Sequence, residues 1–172
     1  MGGGSVSVER IAQHIKYEYH SSDRITTLVD YYGFTNINGR NKSQLESAIT
    51  ELAAERISDF DPHFVIPYVQ MYEFEGLLFS NVEEFQYVTD GWCSDVKNKL
   101  LEARNLFPTP EDINNNRETA PSKRILKIFA NGEYSKTEHG PIIASAIGLA
   151  KIREECPLFN EWVTRLENLG QT

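Results

Sequence analysis

Two glutamates, Glu73 and Glu75, stand one aromatic apart in the run Pro67-Tyr68-Val69-Gln70-Met71-Tyr72-Glu73-Phe74-Glu75-Gly76-Leu77-Leu78-Phe79-Ser80. An apolar stretch, Phe64 to Tyr68, leads into them, and a second one follows. Carboxylates so close to core-forming residues are costly to bury unless a metal, a cation or a set of backbone donors pairs with them. A third acid, Asp30, closes another apolar run, Ile25-Thr26-Thr27-Leu28-Val29. Acids at the ends of two strands can converge at one sheet edge, the arrangement that magnesium-dependent phosphoryl transfer needs. In Glu118-Thr119-Ala120-Pro121-Ser122-Lys123-Arg124, two cations lie at the start of a helix, where free N–H groups and the helix dipole favour anions. Lys123 and Arg124 could grip a phosphate there, with Arg117 and Lys127 thickening the patch.

Each group also has a plainer reading. Asp30 can cap the turn Tyr31-Tyr32-Gly33. Glu73 and Glu75 can sit in the first turn of a helix, where carboxylates complement the dipole. On a strand they would share a face, whereas on a helix they diverge by about 200°. A helix starting between them would aim only one at a site, and Glu75 is then the favoured residue. The basic turn can be a solvated surface pairing with Glu118 and Glu111.

Other chemistries lack their residues. His14, His20, His63 and His139 show no metal-ligand spacing, and no paired Cys/His set exists for zinc. Ser43, Ser80 and Ser122 have no GxSxG setting. No GxxxxGK[ST] loop is present, so the chain is not an ATPase by itself. Tyr17, Tyr19, Tyr31, Tyr32 and Tyr87 read as core and rim packing.

The frame that must position these residues is of ordinary size, since 172 residues make one domain with a real core. Hydrophobic content of 40% and charged content of 24% are ordinary for a globular protein. A formal charge of −8 argues against a general nucleic-acid coat but leaves room for an enzyme with a local basic patch. Cys93 and Cys156 are isolated and read as reduced thiols. The chain has no secretory h-region and no apolar run of membrane length. Gly2 lacks a Ser or Thr at position 6, so the myristoylation pattern is missed. A cytoplasmic protein is expected.

Residues 1–7 read as a flexible lead. Val8 to Tyr19 carries a helical stripe of Val8, Ile11, Ile15 and Tyr19. Arg24 to Val29 reads as a buried strand, and Phe64 to Tyr68 as a second. Between them lies a helix capped by Ser43, with Glu46 completing a capping box. Strand, helix, strand predicts a crossover and a parallel pair. Beyond Glu73 the chain reads as helical over 73–79, 82–88, 94–105 and 122–129. Residues 132–140 read as a loop. Pro141 then opens one helix running to Glu154, and a last helix covers 159–169. The expected fold is α/β, a small parallel sheet over 8–80 followed by a mainly helical part over 81–172, the two forming a single domain. The strands are few for such a fold.

The segments Ile25-Thr26-Thr27-Leu28-Val29-Asp30-Tyr31-Tyr32-Gly33, Pro67 to Ser80, Glu118 to Arg124, and Ile147-Gly148-Leu149 with Arg153, Cys156-Pro157 and Phe159 resemble the prokaryotic domain-of-unknown-function family 4276. The resemblance runs in order along nearly the whole chain from Val8. It implies a Toprim-like fold, a small parallel sheet whose acids bind magnesium, related to topoisomerase, primase and nuclease domains. It also implies a setting near ATPases and in defence against phage. Asp30 matches the first acid of an Asp-x-Asp pair whose second position is Tyr32 here, and Glu73 and Glu75 match a Glu-Phe-Glu motif. Family members usually begin with a strand ending in Glu-Gly, which has no counterpart in this sequence, so the sheet is expected to be N-terminally truncated. Two functions follow as expectations. The first is a magnesium- or manganese-dependent nuclease in the intact form. Asp30 and Glu75 would hold the metal, with Glu73, Lys123 and Arg124 beside them and nucleic acid on the basic patch. The second is a non-catalytic module that binds an ATPase partner, a missing half or a second copy of itself.

Overall fold

Asn41, not Ser43, sets the start of the central helix. Its side-chain oxygen accepts the backbone N–H of Gln44 at 3.0 Å, and Gln44 Oε1 accepts the Asn41 N–H at 3.0 Å. This reciprocal capping box opens α2, Lys42–Arg56. Glu46, expected in the box, is left free to act elsewhere. Its carboxylate accepts the Val69 N–H at 2.9 Å and pairs with Lys42. Lys42 in turn donates to the Val69 carbonyl at 2.7 Å, so the first turn of α2 is tied to a strand. The computed structural model describes Val6–Asn114 and Asn116–Gly170.

The chain divides into two compact units, Met1–Met71 and Tyr72–Thr172. In the first, α1, Val8–Glu18, packs on α2. Val8, Ile11, Ala12 and Ile15 of α1 meet Leu45, Ile49 and Ala53 of α2 in a buried core with Phe34, Val65 and Val69. The expected flexible lead falls partly outside the described residues, at 1–5. Val6 and Ser7, assigned to the same lead, are tied down. Val6 donates to the Gly33 carbonyl at 3.0 Å, and Ser7 caps α1 by accepting the Arg10 N–H.

Each expected strand is broken in two. β1, Ile25–Thr26, pairs in parallel with β3, Val65–Ile66. β2, Val29–Asp30, pairs in parallel with β4, Val69–Gln70. Pro67 explains the interruption, because it has no N–H to give to the ladder. The Thr27 hydroxyl bridges the gap, accepting the Tyr68 N–H at 3.0 Å and donating to the Tyr68 carbonyl at 3.1 Å. The ladder therefore runs on past Tyr68 and sets Asp30 opposite Gln70.

The second unit is helical. It opens with 3-10 turns at Phe74–Ser80 and Val82–Tyr87, where the sequence pattern predicts short helices. α3, Ser94–Asn105, and α4, Pro121–Ile128, follow. α5 spans Lys136–Ile147, α6 Leu149–Glu155 and α7 Pro157–Glu167. Its core holds Leu77, Leu78, Phe79, Phe85, Leu100, Ile125 and Phe129, all buried. The expected loop over 132–140 is half helix. α5 begins at Lys136 because the His139 ring accepts the Ser135 N–H at 2.9 Å while the His139 N–H reaches the Ser135 carbonyl at 2.8 Å. Pro141 then lies inside α5 rather than opening it, at the cost of one helical bond near its start. The single helix expected to Glu154 is split by Gly148, whose φ of +77° suits glycine and not a side-chain-bearing residue. Among the described residues no helix is long and apolar enough to cross a membrane. The fold is α/β in its first part, with only short parallel pairs, and mainly helical after it.

Candidate functional site

Tyr72 precedes the two glutamates in the left-handed region, at φ +60°. For a side chain of this kind that conformation costs about 1–2 kcal/mol. It turns the chain so that Glu73 is extended, at φ −147° and ψ 152°, directly before the 3-10 turn that carries Glu75. The turn does start between the two acids, yet both still reach one cation. Lys136, at the start of α5, sits 3.1 Å from Glu75 Oε1 and 4.0 Å from Glu73 Oε1. Glu73 Oε2 accepts the Ser122 N–H at 2.9 Å, so this carboxylate also occupies the N-terminus of α4. Glu73 thus meets a cation through one oxygen and, through the other, the N-terminus of a distant helix rather than of a helix of its own.

Burial sorts the members of this cluster. The Glu75 side chain is 8% exposed and that of Lys136 is 42% exposed, so the lysine is the face turned to solvent. Behind it stand two buried hydroxyls. Tyr134 is 3% exposed and Ser122 1% exposed, and neither hydroxyl oxygen has a hydrogen-bond partner among the described residues. The Tyr134 ring is held by Phe129 at 6.2 Å and His139 at 5.9 Å between centroids. A Cβ built on Gly140 would lie 3.6 Å from the Tyr134 oxygen and 3.9 Å from Phe74, the residue between the glutamates. Lys136 and Gly140 are four apart on α5 and share a face, and Tyr134 stands two residues before that helix with its hydroxyl beside Gly140. Burial, and after it the charges of Glu75 and Glu73, push the Tyr134 phenol well above its ordinary range. It stays a neutral O–H.

Of the residues singled out from sequence, Glu73 and Glu75 are brought together, with Ser122 beside them. Asp30 lies in the first unit, half-buried at the end of β2, and its side chain makes no cap hydrogen bond to the 3-10 turn Tyr31–Gly33 that follows. Lys123 and Arg124 part company. Lys123 is exposed on the first turn of α4. Arg124 donates from Nε to the Thr119 carbonyl at 2.8 Å and lies over the Phe107 ring, where burial lowers its pKa. Sequence reasoning missed Lys136 and Tyr134, because 132–140 has the composition of a loop. The local signal that could have found them is the Ser135 and His139 pair that caps α5.

The donor set suits a hard cation. Magnesium takes oxygen ligands and is commonly held by one or two carboxylates, keeping water and substrate for its other positions. Two glutamates already gathered around an ammonium group meet that description. Among the described residues no three His, Cys, Asp or Glu side chains come together as a metal-binding group. A family model described as Domain of unknown function (DUF4276) matches residues 4–167. No curated protein matches the chain, and no solved structure does.

Proposed function

The chain belongs to the DUF4276 family, and from that premise we propose that it serves a divalent-metal-dependent phosphoryl-transfer enzyme, a Toprim-like nuclease. What carries the reading is the convergence of Glu73 and Glu75 on Lys136, with one carboxylate nearly buried. In this proposal the two carboxylates hold magnesium or manganese, and Lys136 is the cation that keeps their place. When bound, the metal would neutralise charge on a phosphoryl oxygen. Lys123, exposed one residue beyond Ser122, meets substrate phosphate as a mobile point charge. Ser122 keeps Glu73 at the α4 N-terminus and fixes its second oxygen toward Lys136. Asp30, in the first unit, is proposed from the resemblance alone as a ligand of a cation. A prokaryotic, anti-phage setting rests on the resemblance alone.

Calorimetric titration with Mn²⁺ tests the proposal. Wild type should bind, and Glu75→Gln should lose binding. Silent wild type would refute the reading.

A second reading, an interaction module, is favoured by one observation in the first unit. Along β1–β2, Thr26 and Leu28 are exposed, and each strand has one ladder partner among the described residues. Such an edge suits strand addition by a second copy or another protein. Light scattering across a concentration series tests self-association, and a strictly monomeric chain would exclude it.

A further inference from the structure

The Tyr134 and Ser122 hydroxyls, close to the acid pair, are buried without a hydrogen-bond partner among the described residues. Two other buried polar groups of the second unit, Glu111 and Ser80, are matched. The Glu111 carboxylate takes the Leu158 and Phe159 N–H groups at 2.8 and 3.0 Å, and the Ser80 hydroxyl meets the Cys156 sulfur at 3.3 Å. An unpaired buried hydroxyl is destabilising, and such orphans persist where a ligand, ion or ordered water supplies the missing partner. Tyr134 and Ser122 carry two such orphans against one pair of carboxylates. Ser122 is fixed there by its own N–H on Glu73. Tyr134 is fixed by its ring contacts with Phe129 and His139. Neither hydroxyl can escape to solvent.

We propose that Tyr134 and Ser122 are positioning residues for a hydrated divalent cation, their hydroxyls hydrogen-bonding the water molecules the ion carries when Glu73 and Glu75 hold it. The inference rests on the metal reading above and adds a named outer layer to it. Magnesium and manganese keep several waters at sites with few carboxylates. A metal-bound water is a strong donor and needs acceptors, and a neutral hydroxyl offers acceptor lone pairs as well as a proton. Lys136 marks the solvent side of the cluster, being its most exposed member. Its ammonium satisfies the carboxylates without reaching the hydroxyls, which is why these remain unpaired while the lysine is in place.

The test pairs two measurements on the full chain: thermal unfolding without metal, and Mn²⁺ binding followed by calorimetry and by the electron paramagnetic resonance linewidth of the bound ion. Tyr134→Phe removes only the hydroxyl. Without metal its melting temperature should equal or exceed that of wild type, because a buried unpaired group has gone. Its Mn²⁺ affinity should fall by about tenfold or more, the usual loss when an outer partner of a metal site is removed. Ser122→Ala should behave alike, and it provides a second route if the phenylalanine variant folds poorly. Wild-type affinity and linewidth in both variants, with binding lost in Glu75→Gln, would overturn the role of the hydroxyls and leave the metal site standing. A marked drop in metal-free stability for both would also overturn it, since the hydroxyls would then be paired without the ion. No binding in wild type would sink both readings.

Discussion

Replacing Lys136 by methionine keeps the length of the side chain and removes its charge, which isolates the ion pair from the packing. At 3.1 Å from Glu75, two unit charges attract by roughly 5 kcal/mol at an effective dielectric of about 20. Solvent screening reduces this, because the lysine is half-exposed. Exposed pairs contribute about 0.2–1 kcal/mol, whereas breaking a buried pair costs about 3–5 kcal/mol. With one partner buried and the other half-exposed, a loss of about 2 kcal/mol is expected at neutral pH, between those limits. For a chain of this size each kcal/mol shifts the melting temperature by about 2–4 °C, so the variant should melt about 4–8 °C lower. The assay is a double-mutant cycle by denaturant unfolding, using Lys136→Met, Glu75→Gln and both together. The two changes should be non-additive by about 2 kcal/mol, because each removes the same interaction. Mn²⁺ should then raise the melting temperature of Lys136→Met more than that of wild type, since it no longer competes with the ammonium. If Lys136→Met is as stable as wild type and the coupling with Glu75 is zero, the pair is a screened surface contact and the argument for a cation site collapses.

Thr27→Val should destabilise the first unit by about 1–2 kcal/mol, because it leaves the Tyr68 N–H and carbonyl without the hydroxyl that bridges the two ladders; chemical denaturation measures it. Glu155 is held below the ordinary carboxylate range, chiefly by its hydrogen bond from Lys151 and also by Arg104. Its folded pKa is depressed, so the stability it contributes is present above about pH 4.5 and is lost as pH falls through the folded value. The stability gap between wild type and Glu155→Gln should therefore close on acidification, and a gap that widens would contradict the assignment. Burial pushes the Cys156 thiol up to about 12, while Cys93 is exposed. At pH 8 an aromatic disulfide reagent should label Cys93 in the native protein and reach Cys156 only on unfolding; prompt labelling of both would refute this.

Periodicity made α1, α3 and the body of α2 legible, because their apolar stripes repeat at the helical spacing and each packs one face. It also exposed the parallel strand pair, through two β-rich runs flanking a helix. It missed the start of α5, where the N-terminus is made by the His139 ring rather than by a Ser, Thr, Asp or Asn side chain, and where Pro141 points to a later start. It placed the cap of α2 two residues late, because Ser43 with Glu46 and Asn41 with Gln44 carry the same local pattern. Only the competition for Glu46 by Val69 and Lys42, far apart in sequence from each other, separates them.

The same division holds for the candidate site. That Glu73 and Glu75 needed a partner was a consequence of composition alone: two carboxylates beside a core-forming run cannot be buried unpaired. Which partner they found was a matter of tertiary structure. Ser122 lies 49 residues beyond Glu73, Tyr134 and Lys136 lie further on still, and nothing local marks them for each other. They meet because α4 and α5 pack on the turn that carries Glu75. Residue types decide what must be satisfied, through desolvation costs that depend only on chemistry. The packing of distant elements decides what satisfies it, because proximity in a fold is set by the whole core and not by any one segment.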